Sequence, residues 1–310
     1  MASIKSIKQR IKGAQNTAKI TKAMEVVSAT KMRRSQQFAL RARPYAVASL
    51  ELMRNILTRT EGEVTHPLFS KRAVARRALL VITADKGLAG AINTNILKKA
   101  DAWIAAHGDL PFALIVVGKK AKEYYERRGV SIAHAFTGFG DYSTQEQTRP
   151  VAETLVNGYL DGSWDEVEAV YTNFRTSLLQ ESVVRPILPA TEGGLFEVVR
   201  GIIPETGKFA ASALPASPES IYRYEYVVEP SPEEVLSVLV PQLIRLHIHH
   251  VILESNASEH SARMVAMKSA SDNARELITD FTRLYNQVRQ AGITRELAEI
   301  SAGAEALQEV

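Results

Sequence analysis

Three groups of residues in this 310-residue chain have side chains that could do chemistry. The first is the loop Thr83-Ala84-Asp85-Lys86-Gly87-Leu88-Ala89-Gly90. It stands between an apolar run and a helical run, the place where doubly wound folds bind phosphates. It lacks the Gly-Lys-Ser/Thr ending of a P-loop, and its two glycines fall short of the three that a dinucleotide fingerprint needs. A structural turn is the better reading of Gly87 and Gly90. Asp85 reads as a helix N-cap acid ahead of a metal ligand. The second group is His247, His249 and His250, of which 247 and 250 share a helical face. No carboxylate completes a two-His-one-carboxylate or His-Glu-X-X-His arrangement at usable spacing. His250 falls on a heptad seam, so burial against a partner helix accounts for it better than metal binding. The third group is the scattered Ser, His and Asp residues, which form no recognisable triad or carboxylate pair. Cysteine is absent, which excludes disulfides, thiol catalysis and zinc-cysteinate sites. The expectation is therefore no catalytic residue, no cofactor and no metal.

The middle of the chain has the elements needed to position such a loop. Ala78–Thr83 and Phe112–Val117 are short apolar runs, as in strands buried on both faces. Val130–Phe136 and Val167–Phe174 follow, and helical patterns at 91–106, 119–128 and around 151–160 separate the four runs. Alternation of this kind predicts right-handed crossovers on a mostly parallel, Rossmann-like sheet. Val183–Leu188 and Ile221–Val228 read as later strands that include an antiparallel pair. The Gly-, Pro- and Ala-rich stretch between them, including residues 191–217, reads as a surface excursion of unassigned role.

The two ends have a different period. Ile4, Ile7, Ile11, Ala14 and Ala18 are spaced like a coiled-coil seam, and Ile20, Met24 and Val27 continue an apolar stripe in a shifted register. The helical pattern resumes after Pro44. From Leu239 to Val288, fifteen positions step by four and three without a break, and twelve of them are apolar. At about 1.5 Å per residue that is a rod of roughly 75 Å, too long for the core helix of one domain. The fold class expected is an α/β domain inserted between two long terminal helices that form an antiparallel coiled coil. The segments are 1–60, 70–230 and 231–310.

Charge supports the pairing. Residues 1–43 hold eleven Lys or Arg and one acid, while residues 231–310 hold seven basic and eleven acidic side chains. A helix of net +10 beside one of net −4 favours association and suits an acidic partner. The same basic helix could bind nucleic acid, but it lacks interleaved aromatics and its seam would be occupied. No run of about 18 uninterrupted apolar residues exists, and the N-terminus has no contiguous apolar region of the signal-peptide type. A soluble, intracellular chain is expected. Beyond Gly292 the stripe lapses while helix formers continue to Val310, which suggests insertion into another protein.

Several of these motifs resemble one family. Ile293-Thr294-X-Glu296-X-X-Glu299 with Gly303-Ala304 is similar to the C-terminal signature of the gamma subunit of F-type ATP synthases. Asn16-Thr17-X-Lys19-Ile20-Thr21-Lys22-Ala23-Met24-Glu25, Asp85-X-Gly87-Leu88-X-Gly90-X-X-Asn93 and Ser269-Ala270-Ser271-Asp272-Asn273-Ala274 also resemble that family, in the same order along the chain. The resemblance implies a rotor without catalytic residues of its own. Its partners would be a hexamer of alpha and beta subunits, the epsilon subunit and a ring of c subunits. It would reach the membrane only through that complex, at the cytoplasmic face of a bacterial inner membrane. It would contact a beta-subunit catch loop through Arg289, Gln290, Thr294 and Glu296, and an acidic beta loop through Met24. Lys22, Arg33 and Arg34 are added on charge alone. Asp85, Gly87 and Gly90 would lie in a loop of the base domain. The regulatory cysteine pair of plastid members is absent.

Overall fold

The computed structural model describes residues 4–59, 66–140, 142–191 and 228–308. The elements run α1 (Ile4–Arg59), β1 (Arg77–Ile82), α2 (Ile92–Ala106), β2 (Phe112–Val117), α3 (Lys119–Arg127), β3 (His134–Phe136), α4 (Gln145–Leu160), β4 (Glu166–Phe174), β5 (Gln180–Leu188) and α5 (Pro232–Gln308). Contacts divide the chain into two compact units, Met1–Val27 with Met264–Val310, and Ser28–Arg263.

In the unit Ser28–Arg263 the sheet order is β3-β2-β1-β4-β5. The first four strands are parallel and β5 is antiparallel to β4. The apolar run of β1 is central because both faces must be covered. Ala78, Leu80 and Ile82 enter one core with α4, the end of α1 and the start of α5. Leu79 and Val81 enter the other core with α2 and α3. Tyr45 of α1 donates to Gln242 Oε1 of α5 at 2.7 Å. Arg72 ties the segment before β1 to α4 and β4: it pairs with Asp165 Oδ1 at 2.7 Å, and its guanidinium carbon lies 4.4 Å from the Tyr159 ring centroid.

Some bounds differ from expectation for identifiable reasons. β3 is only three residues long, because pairing with β2 covers 134–136 alone. α4 starts at Gln145, six residues before the apolar stripe, on a capping box in which Thr144 and Gln147 exchange side-chain-to-backbone bonds of 3.0 and 3.3 Å. Pro44, Pro150 and Pro241 all lie inside helices. Each forfeits one backbone bond, and the flanking turns keep the helix. Pro186 fits β5, which is an edge strand among the described residues. The proposed strand at 221–228 and the 191–217 stretch fall almost wholly outside the described residues.

The unit Met1–Val27 with Met264–Val310 is an antiparallel helix pair. Ser271 Oγ meets the Ala18 carbonyl at 3.5 Å, and Arg10 lies over the Phe281 ring at 6.0 Å, so numbering falls on one helix as it rises on the other. Ile7, Met267, Ser271 and Ala274 are buried there. The shifted register expected on α1 does not occur. Ile20 and Val27 are exposed, whereas Thr21, seven residues on from Ala14, is buried. The seam therefore keeps its heptad and continues in a small hydroxyl residue. Composition needs one correction as well. An 18-residue window of α5 is apolar enough to cross a bilayer, but 61% of it is buried within the protein, as befits a core helix.

Gly158 of α4 is held against Trp164, whose indole N–H donates to the Leu155 carbonyl at 3.1 Å. A Cβ at 158 would overlap the indole ring. Gly158→Ala is expected to cost about 1–3 kcal/mol by overpacking. It should lower the urea midpoint at unchanged slope; a midpoint equal to that of the parent would contradict the packing.

Candidate functional site

The loop after β1 is built as a cap for a neighbouring helix. Asp85 Oδ1 accepts the Lys119 amide at 2.8 Å, and Oδ2 accepts the Gly138 amide at 3.0 Å. Thr83 Oγ1 accepts the Ala121 amide at 2.9 Å, and the Ala84 carbonyl accepts that of Lys120 at 3.1 Å. The first three N–H groups of α3 are thus consumed by one loop. Asn93 Oδ1 in turn holds the Ala84 amide at 3.0 Å. A helix N-terminus could receive an anion, but here a carboxylate of the protein already occupies it. Asp85 is the N-cap acid expected, although it caps α3 and not the helix that follows it in sequence. Gly118 must be glycine: its φ is +95° and a Cβ would strike the Thr83 carbonyl. Gly90 also takes positive φ, +61°. Leu88 does so without being glycine, at +63°, and its side chain is 64% exposed.

The carboxyl ends of the strands, where an open α/β sheet keeps its ligand crevice, are covered by α5. Glu254 Oε1 accepts the Phe174 amide at 3.1 Å, Ser258 donates to the Thr172 carbonyl at 3.2 Å, and Ser261 donates to the Ser177 carbonyl at 2.7 Å. Arg263 is 7% exposed and donates to the Gly87 carbonyl through Nε at 3.2 Å and Nη2 at 3.1 Å. Glu259 neutralises that guanidinium. Among the described residues a cavity of about 30 Å³ is bordered by Thr83, Asp85, Lys86, Asn256, Glu259 and His260, room for one or two waters. The sequence reading missed Arg263 and Glu259. The signal available was two opposite charges four apart on an otherwise apolar stretch.

The histidines are buried, but against the α/β body. His249 shares a hydrogen bond of 3.0 Å with Thr148 of α4. Burial above all pushes the basicity of His247 and His250 down, to about 4 and about 3; the charge of Arg185 on β5 adds to it for His247, and the neighbouring His247 and His249 and then Arg185 for His250. The electrostatic neighbours of His250 are the sheet and its own helix. Among the described residues no group of three His, Asp or Glu could hold a metal.

The residues expected to meet partners fall on exposed or half-exposed helix surface. In the helix-pair unit Lys22 is exposed and pairs with Glu25 at 2.9 Å, while Met24 is half-buried. Ile20, Val26 and Val27 beside them are 60%, 56% and 50% exposed, and of these Ile20 and Val27 were expected to continue the apolar stripe in a shifted register. Arg289, Gln290, Thr294 and Glu296 are exposed, and Thr294 turns its hydroxyl back onto the Gln290 carbonyl at 3.0 Å. Ile293, Leu297 and Ile300 are at least half exposed on the same segment. In the other unit Arg33 is exposed, and Arg34 lies 5.7 Å from the Tyr142 ring.

A doubly wound sheet with its crevice closed by protein, together with a long helix pair carrying exposed basic and apolar strips, defines a helical coupling protein built on an α/β body. The ATP synthase family model matches residues 3–307. The chain is 38% identical to the ATP synthase gamma chain of Moorella thermoacetica, over 99% of this chain and all of that one. It is 40% identical to that of Herpetosiphon aurantiacus, over the whole of both. Among solved structures it resembles a chain of the Euglena gracilis mitochondrial ATP synthase OSCP/F1/c-ring, with TM-score 0.63 at 17% identity over 98% of this chain and 94% of that one. It also resembles a chain of the Tetrahymena thermophila mitochondrial ATP synthase central stalk/c-ring, with TM-score 0.58 at 22% identity over 81% and 99%. The chain belongs to the ATP synthase gamma chain family.

Asp85→Ala removes the acceptor for two backbone amides and should cost about 1–2 kcal/mol. Millimolar phosphate or ATP should leave the thermal midpoint of the parent chain unchanged. A ligand-dependent rise that disappears in the variant would show that the loop binds anions.

Proposed function

We propose that the chain is the central-stalk rotor of an F-type ATP synthase, a non-catalytic subunit that couples rotation of a membrane ring to conformational cycling of catalytic subunits. The full-length match to gamma chains carries the reading. In physical terms the rotor supplies differential binding: whichever catalytic conformer best fits the face presented is stabilised. Its partners are a hexamer of alpha and beta subunits, an epsilon subunit and the c ring. Its setting is the cytoplasmic face of a bacterial inner membrane, reached only through the complex. The exposure of Arg289, Gln290, Thr294 and Glu296, next to apolar Ile293 and Leu297, supports contact between the α5 tip and a beta-subunit loop. Met24 with Lys22, Arg33 and Arg34 supports contact with an acidic loop, in which Ile20, Val26 and Val27 add apolar area. Electrostatic contacts of this kind steer and slide more readily than packed ones. Segments 1–60 and 231–310 act as the shaft and 70–230 as the base. The nucleic-acid reading is set aside, since the gamma-chain match extends over the basic helix itself.

The isolated chain should hydrolyse no ATP, and should stimulate ATP turnover by an alpha–beta hexamer; robust turnover by the chain alone would contradict the reading. Replacing Lys22, Arg33 and Arg34 by Glu should spare assembly and reduce proton-driven ATP synthesis. At about 0.5 kcal/mol for each exposed contact the loss is roughly tenfold. Synthesis at the parental rate would remove these residues from the contact.

A further inference from the structure

A polar stripe on α5 plays no part in the rotor reading. His247, His250, Glu254, Ser258 and Ser261 follow one another at spacings of three and four, so they lie on one face of the helix. That face lies along β4 and β5. Its second half is satisfied by the bonds of Glu254, Ser258 and Ser261 to the backbone of residues 172–177. Its first half is not. Both ring nitrogens of His247 and Nε2 of His250 are buried and have no hydrogen-bond partner among the described residues. The two side chains are 5% and 6% exposed. His250 Nε2 stands 3.9 Å from Glu254 Oε2.

The charged and titratable groups facing the stripe can be named from each element. β5 contributes Arg185, β4 contributes Tyr171, which bonds Glu254, and α5 itself adds His249, whose ring is bonded to Thr148 of α4. Glu254 feels the charge of Arg185. Each proton placed on an imidazole here adds a second cation to a space shielded from water, where like charges repel strongly.

We propose that this stripe is a proton-operated latch, in which protonation of His247 and His250 lifts α5 from its seat on β4 and β5. The order of titration suits the task. Burial raises Glu254 to about 7, so its carboxyl is neutralised first as pH falls and no longer offsets Arg185. Burial lowers His247 to about 4 and His250 to about 3, so the seated form resists their protonation and the lifted form, near 6.5, does not. The signs oppose. Glu254, raised on folding, favours the seated form as pH falls from 7 to 4.5. The two histidines, lowered on folding, favour the lifted form from 6.5 downward. Between pH 6.5 and 4.5 the balance is one proton toward lifting, or about tenfold in the opening constant per pH unit. His249, also lowered by burial, adds in the same direction. On the rotor reading, a shaft helix that leaves its base in acid would stop transmitting torque there. The latch itself does not depend on that reading.

Amide hydrogen exchange of the full chain, corrected for intrinsic rates, tests it on peptides covering 244–262. The opening constant should rise about tenfold per unit from pH 6.5 to 4.5, with the α5 peptides opening ahead of those of α2 and α3. In the His247→Leu/His250→Leu variant the slope should flatten or reverse. In Glu254→Gln, which removes the opposing proton, it should steepen toward a hundredfold per unit. A wild-type opening constant that is flat over this range, or a double variant that keeps the wild-type slope, would overturn the latch. If the double variant does not fold at pH 7.5, Glu254→Gln decides, and an unchanged slope there overturns it. Loss of coupling in an assembled complex is a separate readout, so failure of the rotor reading leaves this outcome intact.

Discussion

The seating of α5 across the carboxyl ends of the strands is the interaction on which the rest of the α/β body depends. An open parallel sheet leaves backbone groups and a crevice at that edge, and in binding proteins a ligand fills it. Here Glu254, Ser258, Ser261 and the Arg263 guanidinium supply the missing hydrogen bonds from one helix, and Asp85 and Thr83 take up the N–H groups of α3. A fold suited to nucleotides has been made into a rigid mount. Buried charge-assisted bonds resist shear better than apolar contact alone, because breaking one leaves a desolvated group unpaired. This is the physical requirement of a part that must carry torque.

The helix pair meets a different requirement. Its seam on α1 passes from Ile7 through Ala14 to Thr21, side chains of modest size that allow close approach. Apolar residues are left on the outside instead, at Ile20, Val26 and Val27 on α1 and at Ile293, Leu297 and Ile300 on α5. A protein working alone has no reason to expose so many large side chains on one pair of helices. A protein that presents successive faces to partners does.

Periodicity made most of the fold legible. The apolar runs of β1, β2 and β4 match the strands within a residue or two, because a strand buried on both faces has few alternatives. The long seam of α5 was legible for the same reason, though its first half packs on the sheet and α4 as well as on the end of α1. What escaped was set by tertiary context. Thr21 looked polar and Ile20 looked like seam, since burial on a narrow heptad depends on phase more than on hydrophobicity. Arg263 drew no reading, since nothing local reveals the Gly87 carbonyl it reaches across 176 positions. Asp85 was read correctly as a cap, yet the helix it caps is 34 residues on, a pairing that only the βαβ crossover creates.

A rotor must turn against its hexamer, and absence of cysteine makes that measurable. A single cysteine placed at exposed Glu126 on α3 would carry a bead, with the alpha–beta hexamer fixed to glass. The account predicts that the bead turns in one direction when ATP is added and stops when it is removed. A chain that binds the hexamer while its bead stays still during sustained ATP hydrolysis would contradict it.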